Sequence, residues 1–115
     1  MEDWSAQQLE VCRRFGLEPY PAPSHLKVGI ARNVKGDTLP VQGIRHPPEG
    51  DTTGWYIFAG QEMSNDPDFF VPLHVAHLHE WCPGAMPYLL LPPGWAFVLA
   101  PGYEDVYFNA RLMST

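Results

Sequence analysis

The sequence predicts an α+β domain: a small, largely antiparallel sheet of about five strands with two to three short helices. Three observations predict it. Apolar residues recur at helical spacing in two segments and at strand-like spacing in five others. The 13 prolines, about twice the usual ~5% share, keep elements short and turns many. The order of these segments, α-β-β-β-α-β-β, groups strands together as α+β domains do. At 115 residues the chain makes one domain and not two, residues 1–115 forming a single unit. A chain of this length buries roughly two-thirds of its unfolded surface, enough for a true core.

The first element is a helix beginning at Ser5. Ser5-Ala6-Gln7-Gln8 fits a capping box, with Trp4 and Leu9 placed as a hydrophobic staple. Val11, Cys12 and Phe15 share a face, Gly16 suits the position after the C-cap, and Pro19 stops continuation. Tyr20-Pro21-Ala22-Pro23 is an extended linker. Leu26–Val34 reads as a strand, with Leu26, Val28 and Ile30 on one face. After a turn at Lys35-Gly36-Asp37, Leu39–Ile44 reads as a weaker strand, placed at a sheet edge by Pro40. Arg45–Thr53 is polar and reads as a loop. Gly54–Gly60 is a strand whose two faces are both partly covered. Pro72 then suits the first turn of a helix running to about Trp81, with Val75, Leu78, Trp81 and Cys82 as its core stripe. Pro83-Gly84 breaks it, and Ala85–Leu91 is at most a helical turn bent by Pro87. Trp95–Ala100 and Tyr103–Asn109, joined by Pro101-Gly102, predict an antiparallel hairpin.

Net charge is −6, and its distribution is uneven. Residues 1–48 hold six bases and five acids, whereas residues 49–115 hold eight acids and one base, Arg111. Such a field repels nucleic acid and anionic membrane and draws in basic proteins. The apolar runs Tyr88–Leu91 and Trp95–Ala100 are far shorter than the ~20 residues of a membrane span. Glu2 and Asp3 replace the basic region of a secretory leader, so a cytoplasmic location is expected. Two cysteines, Cys12 and Cys82, without a leader read as free thiols.

Three groups of residues carry possible chemistry. Glu62, Asp66 and Asp68 follow the aromatic strand within seven positions. Clustered carboxylates bind hard cations or divide into an acid and a base, but this spacing lacks the alternation of a calcium loop. The simpler reading is structural: Asp-Pro starts a turn, and Asp68 caps the helix that follows. His74, His77 and His79 with Cys82 suggest zinc. At about 100° per residue, His77 and His79 fall on opposite flanks of the helix, while His74 and His77 share a side. No Cys-x-x-Cys or His-Glu-x-x-His pattern is present. Tyr103 beside Glu104 and Asp105 is the third group, of a kind protein-binding surfaces favour. No nucleophile elbow, phosphate loop or dinucleotide glycine pattern occurs.

From Gly54 onward the chain resembles the immunity protein 33 family, small bacterial domains associated with polymorphic toxin systems. The resemblance lies in Gly54-Trp55, Gly60-x-Glu62 and Asp66-Pro67-Asp68-Phe69. It continues in His77-Leu78, Pro83, Tyr88-Leu89, Leu91-Pro92-x-Gly94, Phe97 and Glu104-Asp105. It covers residues 54–108, about half the chain, and leaves residues 1–50 outside. The resemblance implies a stoichiometric inhibitor and not an enzyme, with no catalytic residues and no cofactor. Its partner would be a cognate toxin in the producing cell's cytosol, and the acidic half suits a basic one such as a nuclease. The expected contact surface is Glu62, Asp66 and Asp68, with Tyr103, Glu104 and Asp105 as its second part. Two other readings stay open: a small regulatory or ligand-binding module without enzymatic activity, and a metal-dependent hydrolase using the carboxylates with His74 or His77.

Overall fold

Helix α1 (Ser5–Arg14) presents Val11 and Cys12 to the interior, with Phe15 packed behind them. Its end is a Schellman turn: Gly16, at φ 68°, donates to the Arg13 carbonyl, and Leu17 donates to that of Cys12. Its start differs from the expected capping box. Trp4 holds the N-cap position without a side-chain cap bond, and Ser5 is the first helical residue. Gln8 instead donates across the molecule to the Met86 carbonyl at 3.0 Å, and Leu9 is 51% exposed. Tertiary docking has claimed the side chain that local capping would use. The computed structural model describes residues 4–113; Glu2 and Asp3, which entered the charge and leader readings, lie outside the described residues.

Six strands follow: β1 (Lys27–Ala31), β2 (Val41–Arg45), β3 (Thr52–Ala59), β4 (Phe70–His74), β5 (Trp95–Ala100) and β6 (Tyr103–Phe108). They form one mixed, mostly antiparallel sheet in the order β4-β1-β3-β2-β5-β6. Only β1 and β3 run parallel. Helix α2 (Val75–Trp81) and 3-10 turns at Arg32–Lys35, Pro83–Tyr88 and Ala110–Met113 complete the described elements. The architecture is therefore α+β, with one strand more than the sequence suggests.

That extra strand is β4. Pro72 does not open a helix; it lies in an edge strand opposite Gly29, where a missing N–H is tolerated. Helix α2 begins only at Val75, and its stripe of Val75 and Leu78 is buried, as periodicity predicts. The proline rule also misplaced β2. Pro40 precedes that strand, which lies between β3 and β5 near the middle of the sheet. The first strand is shorter than predicted because residues 32–35 turn away as 3-10 helix. Asn33 then fills the gap beside β3: its amide donates to the Ala59 carbonyl and its oxygen accepts from the Ala59 N–H, both at 2.9 Å.

Alternation along the strands gives the sheet two unlike faces. One carries Val28, Ile30, Trp55, Ile57 and Phe97 and is covered by α1, α2 and the 83–91 segment to make the core. Arg45 points into this core too, with no exposed surface. Its Nε donates to the Thr53 carbonyl at 3.0 Å. Nη1 reaches the carbonyls of Tyr20, Leu89 and Leu91 at 3.2, 3.0 and 2.9 Å, and Nη2 that of Pro21 at 2.8 Å. The rings of Tyr20 and Trp55 flank the guanidinium. Burial pulls its pKa down to about 10, so it remains charged at neutral pH. One side chain thus ties the linker, the 89–91 segment and β3 to the end of β2.

Candidate functional site

β3 is inserted between β1 and β2, so the chain leaving β3 must cross the end of β1 to enter β4. Residues 60–69 make that crossing, and they carry the acidic cluster. Both ends of the loop are anchored. Gly60 donates to the Pro40 carbonyl at 2.8 Å, and the Gln42 amide donates to the Gly60 carbonyl at 2.8 Å. At the far end Phe69 and Phe70 stack edge to face with centroids 4.8 Å apart, and both contact Phe58. Between the anchors Glu62, Asp66 and Asp68 are exposed. The turn is organised from within: the Asp66 carboxylate accepts from the Asp68 N–H at 2.9 Å, and Ser64 Oγ accepts from the Asp66 N–H at 3.0 Å. A strand follows Asp68, so that residue caps no helix, and Asp66 supplies the local acceptor. None of the three acids forms an ion pair with a described residue.

The second predicted patch lies at the same end of the sheet. Ala59, Val41, Leu99 and Glu104 form one row across β3, β2, β5 and β6. Three strand spacings, roughly 14 Å, therefore separate the start of the acidic loop from β6. Gln61, Pro40, Val98 and Tyr103 line a shallow depression between them. Alternation divides the patch. Tyr103 and Asp105 point to the face that no helix covers, and Tyr103 is 56% exposed. Glu104 points the other way. It receives two bonds from Arg14, at 3.0 and 2.9 Å, and a short one from the Tyr88 hydroxyl.

This arrangement makes Glu104 a clamp between β6, α1 and the 83–88 turn. Hydrogen bonds from Arg14 and Tyr88 hold its carboxyl below the usual value of 4.5. Burial, then the Glu104 carboxylate, push the Tyr88 phenol up to about 12. Because the folded-state pKa of Glu104 is depressed, its stabilisation is present above the unfolded value and is lost as pH falls through the folded one. The Glu104 side chain is about a third exposed, so the effect is modest. Glu104→Gln is expected to lower stability by about 1 kcal/mol at neutral pH. Urea midpoints of wild type and variant should converge as pH falls below the usual carboxylate range; parallel curves would show that the carboxylate charge is not what holds the clamp.

The uncovered face also holds a groove of ≈ 550 Å³ that residue spacing did not reveal. Ile44, His46, Glu49, Gly54, Tyr56 and Phe70 line it. Met63 of the acidic loop borders it as well. The His46 ring meets Tyr56 edge to face at 5.5 Å, and Tyr56 meets Phe70 at 5.1 Å. A Cβ at position 29 would lie 2.6 Å from the Tyr56 ring, so glycine there gives the ring its room. These residues come from four separate parts of the chain, and only topology brings them together.

The histidines do not assemble. His74 ends β4 in extended conformation and is not one helical turn before His77. His77 and His79 both approach Glu80, at 3.4 and 3.9 Å. Among the described residues no group of three or more His, Cys, Asp or Glu side chains is arranged to hold a metal ion. Cys12 and Cys82 are free and buried, and burial raises both thiol pKa values. No helix of the described residues is long and apolar enough to cross a membrane.

Searches of curated proteins and of solved structures find no match to this chain. The profile of the Imm33-like domain matches residues 7–109. The match therefore takes in most of α1 with β1 and β2, segments in which the sequence showed no resemblance. It spans the whole six-stranded sheet, the Arg45 lock and the anchored acidic loop. This chain belongs to the Imm33-like domain family.

Proposed function

We propose that this chain is an immunity protein that binds and neutralises a cognate toxin in the cytosol by stoichiometric inhibition. Family membership supports the immunity role in outline. The observation that carries the binding surface is a contrast among the acids. Glu10, Asp51 and Glu104 are matched internally by Arg13, Lys27 and Arg14. Glu62, Asp66, Asp68 and Asp105, like Glu18, Asp37 and Glu49, are exposed and form no ion pair with a described residue, but the first four gather at one end of the sheet. Charges left unmatched at one end of an uncovered sheet face are suited to a basic partner, which they attract at long range and orient. Tyr103 supplies the aromatic anchor such interfaces favour. Glu104 serves the same surface by holding β6 in place. The chemistry is recognition: the inhibitor covers or distorts the toxin and transforms nothing.

Co-expression with the product of the adjacent toxin gene tests this. The wild-type chain should restore growth and co-purify with the toxin in equal amounts. Asp66→Lys combined with Asp68→Lys should slow association about tenfold at low salt, with the difference shrinking toward ~0.5 M salt. Absence of both rescue and complex would sink the immunity role. An association rate that ignores salt and charge reversal would remove the acidic loop from the interface.

A further inference from the structure

We propose that the groove on the uncovered sheet face receives an arginine side chain of the toxin. This rests on the immunity reading and names the chemistry by which the partner is recognised. The groove combines aromatic walls with polar groups that accept hydrogen bonds. Tyr56 and Phe70 offer two rings in T-shaped contact, centroids 5.1 Å apart. His46 Nδ1 lies 3.0 Å from the Leu112 carbonyl oxygen. A carbonyl only accepts, so Nδ1 carries the proton, and in that neutral tautomer Nε2 is an acceptor. Among the described residues Glu49 is the one carboxylate lining the groove; it is exposed and forms no ion pair with a described residue. Lys27, at the adjoining end of β1, is held by Asp51 at 2.9 Å.

A purely apolar occupant would cover the Glu49 carboxylate without replacing its water. A carboxylate would be repelled by it. A guanidinium satisfies every part: its flat face can lie on one of the two aromatic rings, its edge donates to Glu49 and the imidazole, and its stem lies along Ile44. A lysine ammonium would meet the charge but not stack. The same molecule already shows this mode of recognition inside its core, where Arg45 lies between Tyr20 and Trp55 and donates only to oxygen acceptors. The acids of the neighbouring 60–69 loop add a field of matching sign.

The test titrates the isotopically labelled full chain with N-acetyl-arginine amide, using the citrulline and lysine analogues as comparisons. Arginine should move the amide resonances of Gly54, Tyr56 and Phe70 with a dissociation constant on the order of 10 mM. Citrulline, isosteric but uncharged, should not move them, and lysine should bind more weakly. Glu49→Gln, an exposed change whose fold the same spectra verify, should weaken arginine at least about threefold. No shift at these amides up to roughly 100 mM arginine, or equal shifts with citrulline, would overturn the proposal. The titration contains no toxin. Growth rescue without arginine binding would therefore remove the groove and keep the immunity role. Arginine binding without rescue would keep the groove's chemistry and remove the toxin as its source.

Discussion

Replacing Arg45 with methionine is expected to destabilise the fold by about 3–5 kcal/mol. Methionine fills much of the volume but donates nothing, so the carbonyls of Tyr20, Pro21, Thr53, Leu89 and Leu91 would lose a buried charged donor. A total stability of 5–15 kcal/mol is typical of a domain, so the loss is a large fraction of the whole. Arg45→Lys should recover little, because an ammonium has three donors and cannot span carbonyls on several sides. Urea unfolding followed by tryptophan fluorescence, to which Trp55 beside the guanidinium contributes, reads the effect. A loss below about 1 kcal/mol would mean that water or rearranged backbone satisfies the carbonyls.

Gly54→Ala is expected to cost about 3 kcal/mol or more, and to remove the groove with it. Gly54 has φ 93°, which an alanine adopts only with strain. Its Cβ would also lie 1.9 Å from the His46 carbonyl oxygen, which is backbone and cannot rotate aside. The collision would break the bond from the His46 N–H to the Gly54 carbonyl, now 2.9 Å, that fixes the 46–51 loop against β3. Gly102→Ala separates the two contributions. That glycine has φ 70° but open space around it, so only the strain of about 1 kcal/mol should appear. Equal losses in the two variants would show that the close approach at His46 relaxes freely.

The sequence reveals the elements whose signals are local. The Gly54–Gly60 strand, the hairpin of β5 and β6, and the Val75–Leu78 stripe all follow periodicities that burial then explains. Proline misled in both directions, because one residue type suits a helix start and an edge strand alike. Pro72 belonged to the edge, and Pro40 preceded a central strand. Arg45 gave no warning. It ends an alternation of Val41, Gly43 and Arg45 on one face, but charge argues against the core, and its acceptors lie between 8 and 46 residues away. The acidic loop was legible as acids and a turn, whereas its anchoring depends on Pro40, just before β2, and on Gln42 within it. Glu104 looked equivalent to Asp105 in sequence. Strand alternation turns one toward Arg14 and Tyr88 and leaves the other without an ion pair to a described residue.

The edges of the sheet have a bearing on whether copies of the chain add to one another. An open six-stranded sheet has two free rims at which copies can join by adding strand to strand, the route to clumping in β proteins. One rim, β4, carries Pro72, which has no N–H to offer a newcomer. The other, β6, carries Glu104 and Asp105 in succession, so two copies paired there would bring like charges together. Both rims of the sheet thus carry features that disfavour the addition of a further strand from another copy.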